Sequence, residues 1–304
     1  MRYELRILAL CALVGLVLTG CGQDNGQSPI DNGRVPTAHQ LTFNDDIFEA
    51  NPIYSPDGSW IMFESDATGN RDIWRLPAAG GPAEQLTTDL GFDSSPYWSP
   101  DGGRIVFESD RSGSKHIWIL DLGVPGATPV ALTSGQWDDG SPAWSPDGTR
   151  VVYESNRAAT GGSELWISTV ADGVAVQLTS TAAGVYQRTA DWSPDGTQIV
   201  FESNRDNGQP ALMVMLAAGG PARRITSLAG YEGHPAWSPD GARIAFESSH
   251  GGTMELYVVD ATGGPVVAVT INGGYWPRWS PDGASLVYGM YGNPQPNLWV
   301  VSAF

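Results

Sequence analysis

The sequence predicts an all-β fold, a six-bladed β-propeller closed by its own N-terminal strand, on three observations. Ser-Pro-Asp-Gly occurs six times, beginning at Ser55, Ser99, Ser145, Ser193, Ser238 and Ser280, at steps of 44, 46, 48, 45 and 42 residues. A period in that range marks one repeated four-stranded unit. Each period carries four strand-like segments bounded by turn residues. One blade-ending segment, His39-Gln40-Leu41-Thr42, stands ahead of the first repeat, and nothing like it follows the sixth.

The elements follow in order from the turn. Proline presets the backbone angle, aspartate bonds its own local backbone, and glycine accepts the positive φ that leads into the next strand. The first strand of each blade closes on Tyr54, Trp98, Trp144, Trp192, Trp237 or Trp279, directly before the serine. The second strand ends in aromatic-Glu-Ser: Ile61 to Ser65, Ile105 to Ser109, Val151 to Ser155, Ile199 to Ser203 and Ile244 to Ser248. In the sixth copy it runs from Leu286 to Tyr288 and then breaks. The third carries Ile73-Trp74, Ile117-Trp118, Leu165-Trp166, Leu212-Met213, Leu256-Tyr257 or Leu298-Trp299. The fourth ends in Leu86-Thr87, Leu132-Thr133, Leu178-Thr179, Ile225-Thr226 or Val269-Thr270. The segment at His39 is expected to supply the missing sixth member, which leaves no open sheet edge.

Residues 1–21 read as a lipoprotein signal peptide. Arg2 and Arg6 precede an apolar run from Ile7 to Leu18, too short to span a bilayer, and Leu18-Thr19-Gly20-Cys21 resembles a bacterial lipobox. Cys21 is therefore expected to carry lipid, and Gly22 in place of aspartate favours the outer membrane, facing the periplasm. Residues 22–38 form a polar tether and residues 39–304 the propeller. With Cys11 inside the signal, no thiol is left for a disulfide or a zinc site. A hydrophobic content of 41% supports a core for a monomeric domain. The net charge of -17, with Lys115 the one lysine, excludes nucleic acid and anionic lipid as partners, so the lipid chain is the sole expected membrane contact. The same charge favours cations and basic protein segments.

The succession aromatic-Ser-Pro-Asp-Gly, apolar strand, Ser-Asp/Asn-Arg loop, Leu/Ile-Trp/Tyr strand, Gly-Gly turn, Leu-Thr resembles the TolB-type propeller repeat over nearly all of residues 39–304. The resemblance implies the fold and not a partner. TolB itself carries an α/β domain ahead of its propeller and is soluble in the periplasm. Here a tether and an expected anchor take that place, so membership of the Tol system is not implied.

Candidate site residues are sought where the repeat does not explain them. Nine of twelve tryptophans fall at two repeat positions and read as core. The turn aspartates Asp57, Asp101, Asp147, Asp195, Asp240 and Asp282 read as structural, because each lacks the neighbouring oxygens that calcium requires. A calcium ion in the central channel is kept as a candidate, with no cofactor assigned. The loops entering the first strands should ring the channel mouth on one face, here face A. Six residues before the serines stand Glu49, Asp93, Asp139, Gln187 and Glu232, and one residue earlier Phe48, Phe92, Asp138, Tyr186 and Tyr231. They predict an acidic ring with an aromatic collar. Arg188, His234, Trp276 and Arg278 depart from the repeat and read as specificity residues at the same mouth. The second-strand glutamates Glu64, Glu108, Glu154, Glu202 and Glu247 read as architecture, bonding neighbouring blades or loop arginines.

No Gly-x-Ser-x-Gly elbow is present, and the histidines, His39, His116, His234 and His250, are scattered over blades and repeat positions. Two function classes follow. The first is a non-catalytic scaffold that binds an envelope protein or basic peptide segment at the acidic and aromatic mouth. The second is a glycan-binding or glycan-active propeller in which Tyr186, Tyr231 and Trp276 stack on sugars.

Overall fold

The computed structural model describes residues 36–44, 46–158, 161–206, 208–291 and 295–302. The signal peptide, Cys21 and nearly all of the tether lie outside these residues. Among the described residues, twenty-four strands form six four-stranded antiparallel sheets. The inner strands are Glu49–Tyr54, Asp93–Trp98, Asp139–Trp144, Gln187–Trp192, Glu232–Trp237 and Tyr275–Trp279. Each touches the next around the ring, the sixth touching the first, so together they line the axis.

Closure is as expected. Thr37–Gln40 forms the outer strand of the sixth sheet, pairing with Pro296–Ser302 so that Thr37 opposes Ser302 and Gln40 opposes Trp299. The strand starts at Thr37, two residues ahead of the expected boundary. The Leu-Thr signature lies just beyond the outer strands, where its threonine replaces the ladder. Thr87, Thr133, Thr179, Thr226, Thr270 and Thr42 each accept, through Oγ1, a third-strand N–H at 2.9 to 3.1 Å. The expected break in blade six is absent: its second strand runs Ser285–Tyr291, and Gly289 keeps its place opposite Leu298.

The Ser-Pro-Asp-Gly turns satisfy themselves. In every copy the serine Oγ donates to the aspartate Oδ1 at 2.5 to 2.6 Å. The glycine holds φ between 70° and 72°, which requires glycine there. A Cβ on each turn glycine would meet the proline of the preceding blade at 3.3 to 3.8 Å, with Gly58 against Pro281 completing the circle. The aspartate is thus used up by its own turn, as the sequence reading has it.

Apolar side chains fill the gaps between blades. Met62 and Ile73 of blade one pack with Trp98, Ile105 and Phe107 of blade two, while Ile61 and Phe63 pack with Val287, Leu298 and Val300 of blade six. Trp98, Trp144, Trp192, Trp237 and Trp279 are buried, as expected of core. Burying one such ring removes ~150 to 250 Å² from water, worth at most about 4 to 6 kcal/mol. The third-strand Trp74, Trp118, Trp166 and Trp299 are only half-buried, and Arg111 and Arg157 lie against the rings of Trp118 and Trp166.

Each inner strand also carries a bulge. Its register slips four residues before the turn serine, at Asn51, Ser95, Ser141, Thr189, His234 and Trp276, which all adopt a left-handed φ between 47° and 54°. A side chain there costs about 1 to 3 kcal/mol of backbone strain and is re-aimed away from the sheet.

Candidate functional site

The expected acidic ring is not open at the mouth. Glu49, Asp93, Asp139 and Glu232 are buried, and each is turned into the polar loops beside it. Arg111 Nη2 reaches both oxygens of Asp93, at 2.9 and 2.7 Å, and Arg157 Nη2 reaches Asp139 at 2.8 Å. Arg205 does the same for Gln187 at 2.8 Å. Asn44 Nδ2 donates to Glu49 at 3.1 Å, and the Leu228 N–H donates to Glu232 at 3.2 Å. For Asp93, Asp139 and Gln187 the physical reason is the arginine eighteen residues downstream, which leaves the second strand beside the first residue of the inner one. Ala67 and His250 hold that place for Glu49 and Glu232, which are drawn in by the preceding loops instead. These carboxylates pin loops and are not exposed to a ligand at the mouth.

The mouth is built instead from the bulge residues and the second-strand glutamates. Glu64 accepts the Ser95 N–H at 3.1 Å, Glu108 the Ser141 N–H at 2.9 Å, and Glu247 the Trp276 N–H at 2.7 Å. Each glutamate thereby caps the strained residue of the next blade, which is the architectural role read from the sequence. Basic side chains face the other oxygens of these glutamates and of Glu154: Arg71 lies 3.6 Å from Glu64, Lys115 3.1 Å from Glu108, Arg188 3.8 Å from Glu154, and His234 Nδ1 2.9 Å from Glu247. Tyr231 donates its hydroxyl to Glu202 at 2.9 Å. Gly289 stands where a sixth glutamate would, and a Cβ there would meet the Trp276 ring at 2.8 Å. The Trp276 indole also meets Phe48, His234, Tyr275 and Tyr291, and Arg71 covers Phe48 at 4.1 Å. Phe92 is exposed, and Tyr186 lies under the Arg188 guanidinium at 4.2 Å.

Arg278 lies elsewhere than expected. It projects into the channel two residues before the turn serine, where its Nη1 stands 3.4 Å from Asp191 Oδ1 and its guanidinium lies 5.4 Å from the Tyr97 ring. Tyr97 donates to the same oxygen at 2.9 Å, and the Trp237 N–H donates to Oδ2 at 2.8 Å. Three alternate blades thus meet on the axis and close the channel, with a cavity of about 260 Å³ left on the turn side. The channel carboxylate that a calcium ion would use is already engaged by a guanidinium. Among the described residues no group of three or more His, Asp or Glu is placed to hold a metal. The sequence signal for Tyr97 and Asp191 was the position itself, which reads Ile53, Tyr97, Ala143, Asp191, Ala236, Arg278 around the ring.

Burial raises several mouth carboxyls. Glu154 is pushed up to about 7 by burial, with Glu108 and Glu202 adding and Arg188 opposing. Burial also raises Glu64 and Glu202. A raised acid stabilises the fold below its unfolded value and loses that contribution as pH rises through its folded value. The turn aspartates act oppositely: their serine partners lower Asp57 and Asp147 to about 2, so their contribution is lost as pH falls through that region. The melting temperature is expected to peak near about pH 5 and to fall by roughly 5 °C towards pH 8. Glu154→Gln should flatten the limb between pH 5 and 8; an unchanged slope would show that Glu154 does not titrate there.

The family model described as TolB beta propeller domain matches residues 37–138, 91–209 and 141–298. The chain belongs to the TolB β-propeller family. Among solved structures, the putative TolB from Agrobacterium tumefaciens is 25% identical with a TM-score of 0.68, over 84% of this chain and 90% of that one. TolB from Acinetobacter baumannii is 20% identical with a TM-score of 0.67, over 79% of this chain and 58% of its own length. An oligogalacturonate lyase from Vibrio parahaemolyticus, 14% identical with a TM-score of 0.61, covers 87% of this chain and 93% of its own. It shares the fold alone. An uncharacterised protein of Agrobacterium fabrum is 50% identical over 36 residues, and the match spans 12% of each chain. Family membership therefore accounts for the TolB-type blades, while the mouth must be read from its own side chains.

Proposed function

We propose that this TolB-family propeller is a non-catalytic binding scaffold of the bacterial cell envelope. It is anchored through lipid on Cys21 at the outer membrane, faces the periplasm, and holds a protein or peptide partner on face A. The supporting observation is a group of exposed large apolar side chains on face A. Of eleven among the described residues, Val124, Val130, Val174, Val176, Leu216 and Val267 are spread over outer strands and the opposite face. Phe43, Leu90, Phe92, Ile271 and Tyr291 stand on face-A loops or strand ends around blades six, one and two, with Leu90 98% and Ile271 81% exposed. Aliphatic side chains set out in water beside an aromatic cluster suit a protein partner. Sugars stack on rings and gain little from leucine or isoleucine.

Exposed Asp46 and Asp89 on the same face supply a counter-charge for a basic segment, and the overall acidity steers it inward. The test uses surface residues, because reversing the buried Asp93, Asp139 or Glu232 would unfold the blades. In-cell crosslinking of the tagged, lipidated chain should recover a partner. Leu90→Asp with Ile271→Asp should reduce its recovery about tenfold and leave the melting temperature unchanged. Full recovery with the double variant would exclude this face.

A further inference from the structure

The repeat is most disturbed between blades three and four, on face A but away from the apolar loops. Eight residues separate Ser155 from Glu164, where six separate Ser65 from Asp72, Ser109 from His116 and Ser248 from Glu255. Gly162 lies close against the next entry loop: a Cβ there would stand 1.8 Å from the Val185 carbonyl oxygen. Behind it lies a hollow of about 610 Å³ lined by Trp137, Asn156, Tyr186 and Arg188. A second cavity of about 290 Å³ adjoins it through Asn156 and Arg188 and adds Glu108, Lys115, Asp138 and Glu154.

Three features of this hollow point to one ligand chemistry. Trp137 stands outside the two repeat positions that hold nine of the twelve tryptophans, so the blade architecture does not call for it. Trp137 and Tyr186 are both half-buried, with Arg157 at 5.3 Å from the first ring and Arg188 at 4.2 Å from the second. The polar groups alternate in sign: Lys115 stands 3.1 Å from Glu108, and Arg188 stands 3.8 Å from Glu154 with its head 51% exposed. Ser141 ties the two acids together, its N–H donating to Glu108 at 2.9 Å and its hydroxyl to Glu154 at 3.3 Å.

An anion entering here meets Glu108, Glu154 and Asp138, and a cation meets Lys115 and Arg188. A ligand whose neighbouring groups both donate and accept, on a body with an apolar face, is opposed by neither set. We infer that the hollow between blades three and four binds a short neutral saccharide, with Trp137 and Tyr186 against the sugar rings and Asn156, Arg188 and Glu154 on its hydroxyls. The site is separate from the partner surface of blades six, one and two. Of the sugar platform expected from sequence, Tyr186, Tyr231 and Trp276, it keeps Tyr186 and adds Trp137; Tyr231 is tied to Glu202 and Trp276 meets its aromatic neighbours.

The test is saturation-transfer NMR of the propeller with cellobiose, maltose and N,N′-diacetylchitobiose at about 10 mM, followed by calorimetric titration of any that respond. Binding of at least one is expected, weakened about tenfold by Trp137→Ala and similarly by Arg188→Leu, with the melting temperature of each variant measured beside it. Leu90→Asp with Ile271→Asp should leave it intact. Silence from all three sugars overturns the inference, as does binding that both hollow variants retain at full strength. Loss of binding in the Leu90/Ile271 variant would place the sugar on the other surface and overturn it equally.

Discussion

A chain that begins at Phe43 is expected to lose its cooperative fold near 37 °C, while one that begins at residue 36 melts like the full-length protein. The shorter chain lacks Thr37–Gln40, whose ladder covers residues Trp299 to Ser302, and it lacks Leu41 and Thr42 as well. Leu298 then loses both partners, the Thr42 hydroxyl at 3.0 Å and the Leu41 N–H at 2.8 Å. Four to six hydrogen bonds at about 1 kcal/mol each, with the packing of Leu41 on the Leu298 and Val300 cluster, amount to roughly 5 kcal/mol. That is of the order of a whole domain's stability, and it corresponds to a fall of more than about 10 °C. The uncovered strand Pro296–Ser302 would also offer an edge for association. Thermal melts followed by circular dichroism, with sedimentation for the aggregate, measure both effects. Thr42→Val is the graded version, expected to cost about 1 to 2 kcal/mol with the strand in place. A truncated chain that melts within a few degrees of the longer one would show that closure rests on the inner strands and turn prolines instead.

The parts legible in the sequence are those that every blade repeats. A turn that must have glycine at positive φ, an aromatic ring before it, tryptophan in five blades and Tyr54 in the first, and a threonine that caps a third-strand N–H recur in every blade, so their spacing announces the fold. The closing segment was legible because Leu41-Thr42 matched this pattern out of place. The mouth was harder, because repetition does not say which way a side chain points. Asp93 and Asp139 sit at the entrance in chain order, yet the bulge and the arginine eighteen residues later draw them inward. Glu108 and Glu154, set aside as architecture, both cap or bridge a neighbour and also stand beside the exposed Lys115 and Arg188. His234 and Trp276 stand out in the sequence as departures, but the backbone strain they share with Asn51, Ser95, Ser141 and Thr189 leaves no mark in residue type. Arg278 was singled out and put at the wrong level, because its partners Tyr97 and Asp191 come from blades 181 and 87 residues away in sequence.

That trio supports the second large prediction. Asp191→Ala should destabilise the propeller by about 3 to 5 kcal/mol, lowering the melting temperature by roughly 10 °C. The carboxylate is buried and serves three other blades: the Tyr97 hydroxyl of blade two, the Trp237 N–H of blade five and the Arg278 guanidinium of blade six. Removing it leaves a backbone donor without an acceptor, at about 1 to 3 kcal/mol, and strands a cation in an apolar channel. Asp191→Asn should fall between, since its oxygen can still serve Trp237 and Tyr97 while the charge opposite Arg278 is gone. Asp191→Leu combined with Arg278→Leu should recover most of the loss, because two apolar side chains need no counter-charge and the tryptophan collar already makes that end of the channel apolar. The order of melting temperatures is therefore wild type, then the double leucine variant, then asparagine, then alanine. If alanine melts with the wild type, the three side chains do not tie the blades together and the ring is held by its interblade packing. If the double leucine variant is instead the least stable, the polar contacts outweigh their desolvation, and the axis is held by hydrogen bonds from blades two, five and six.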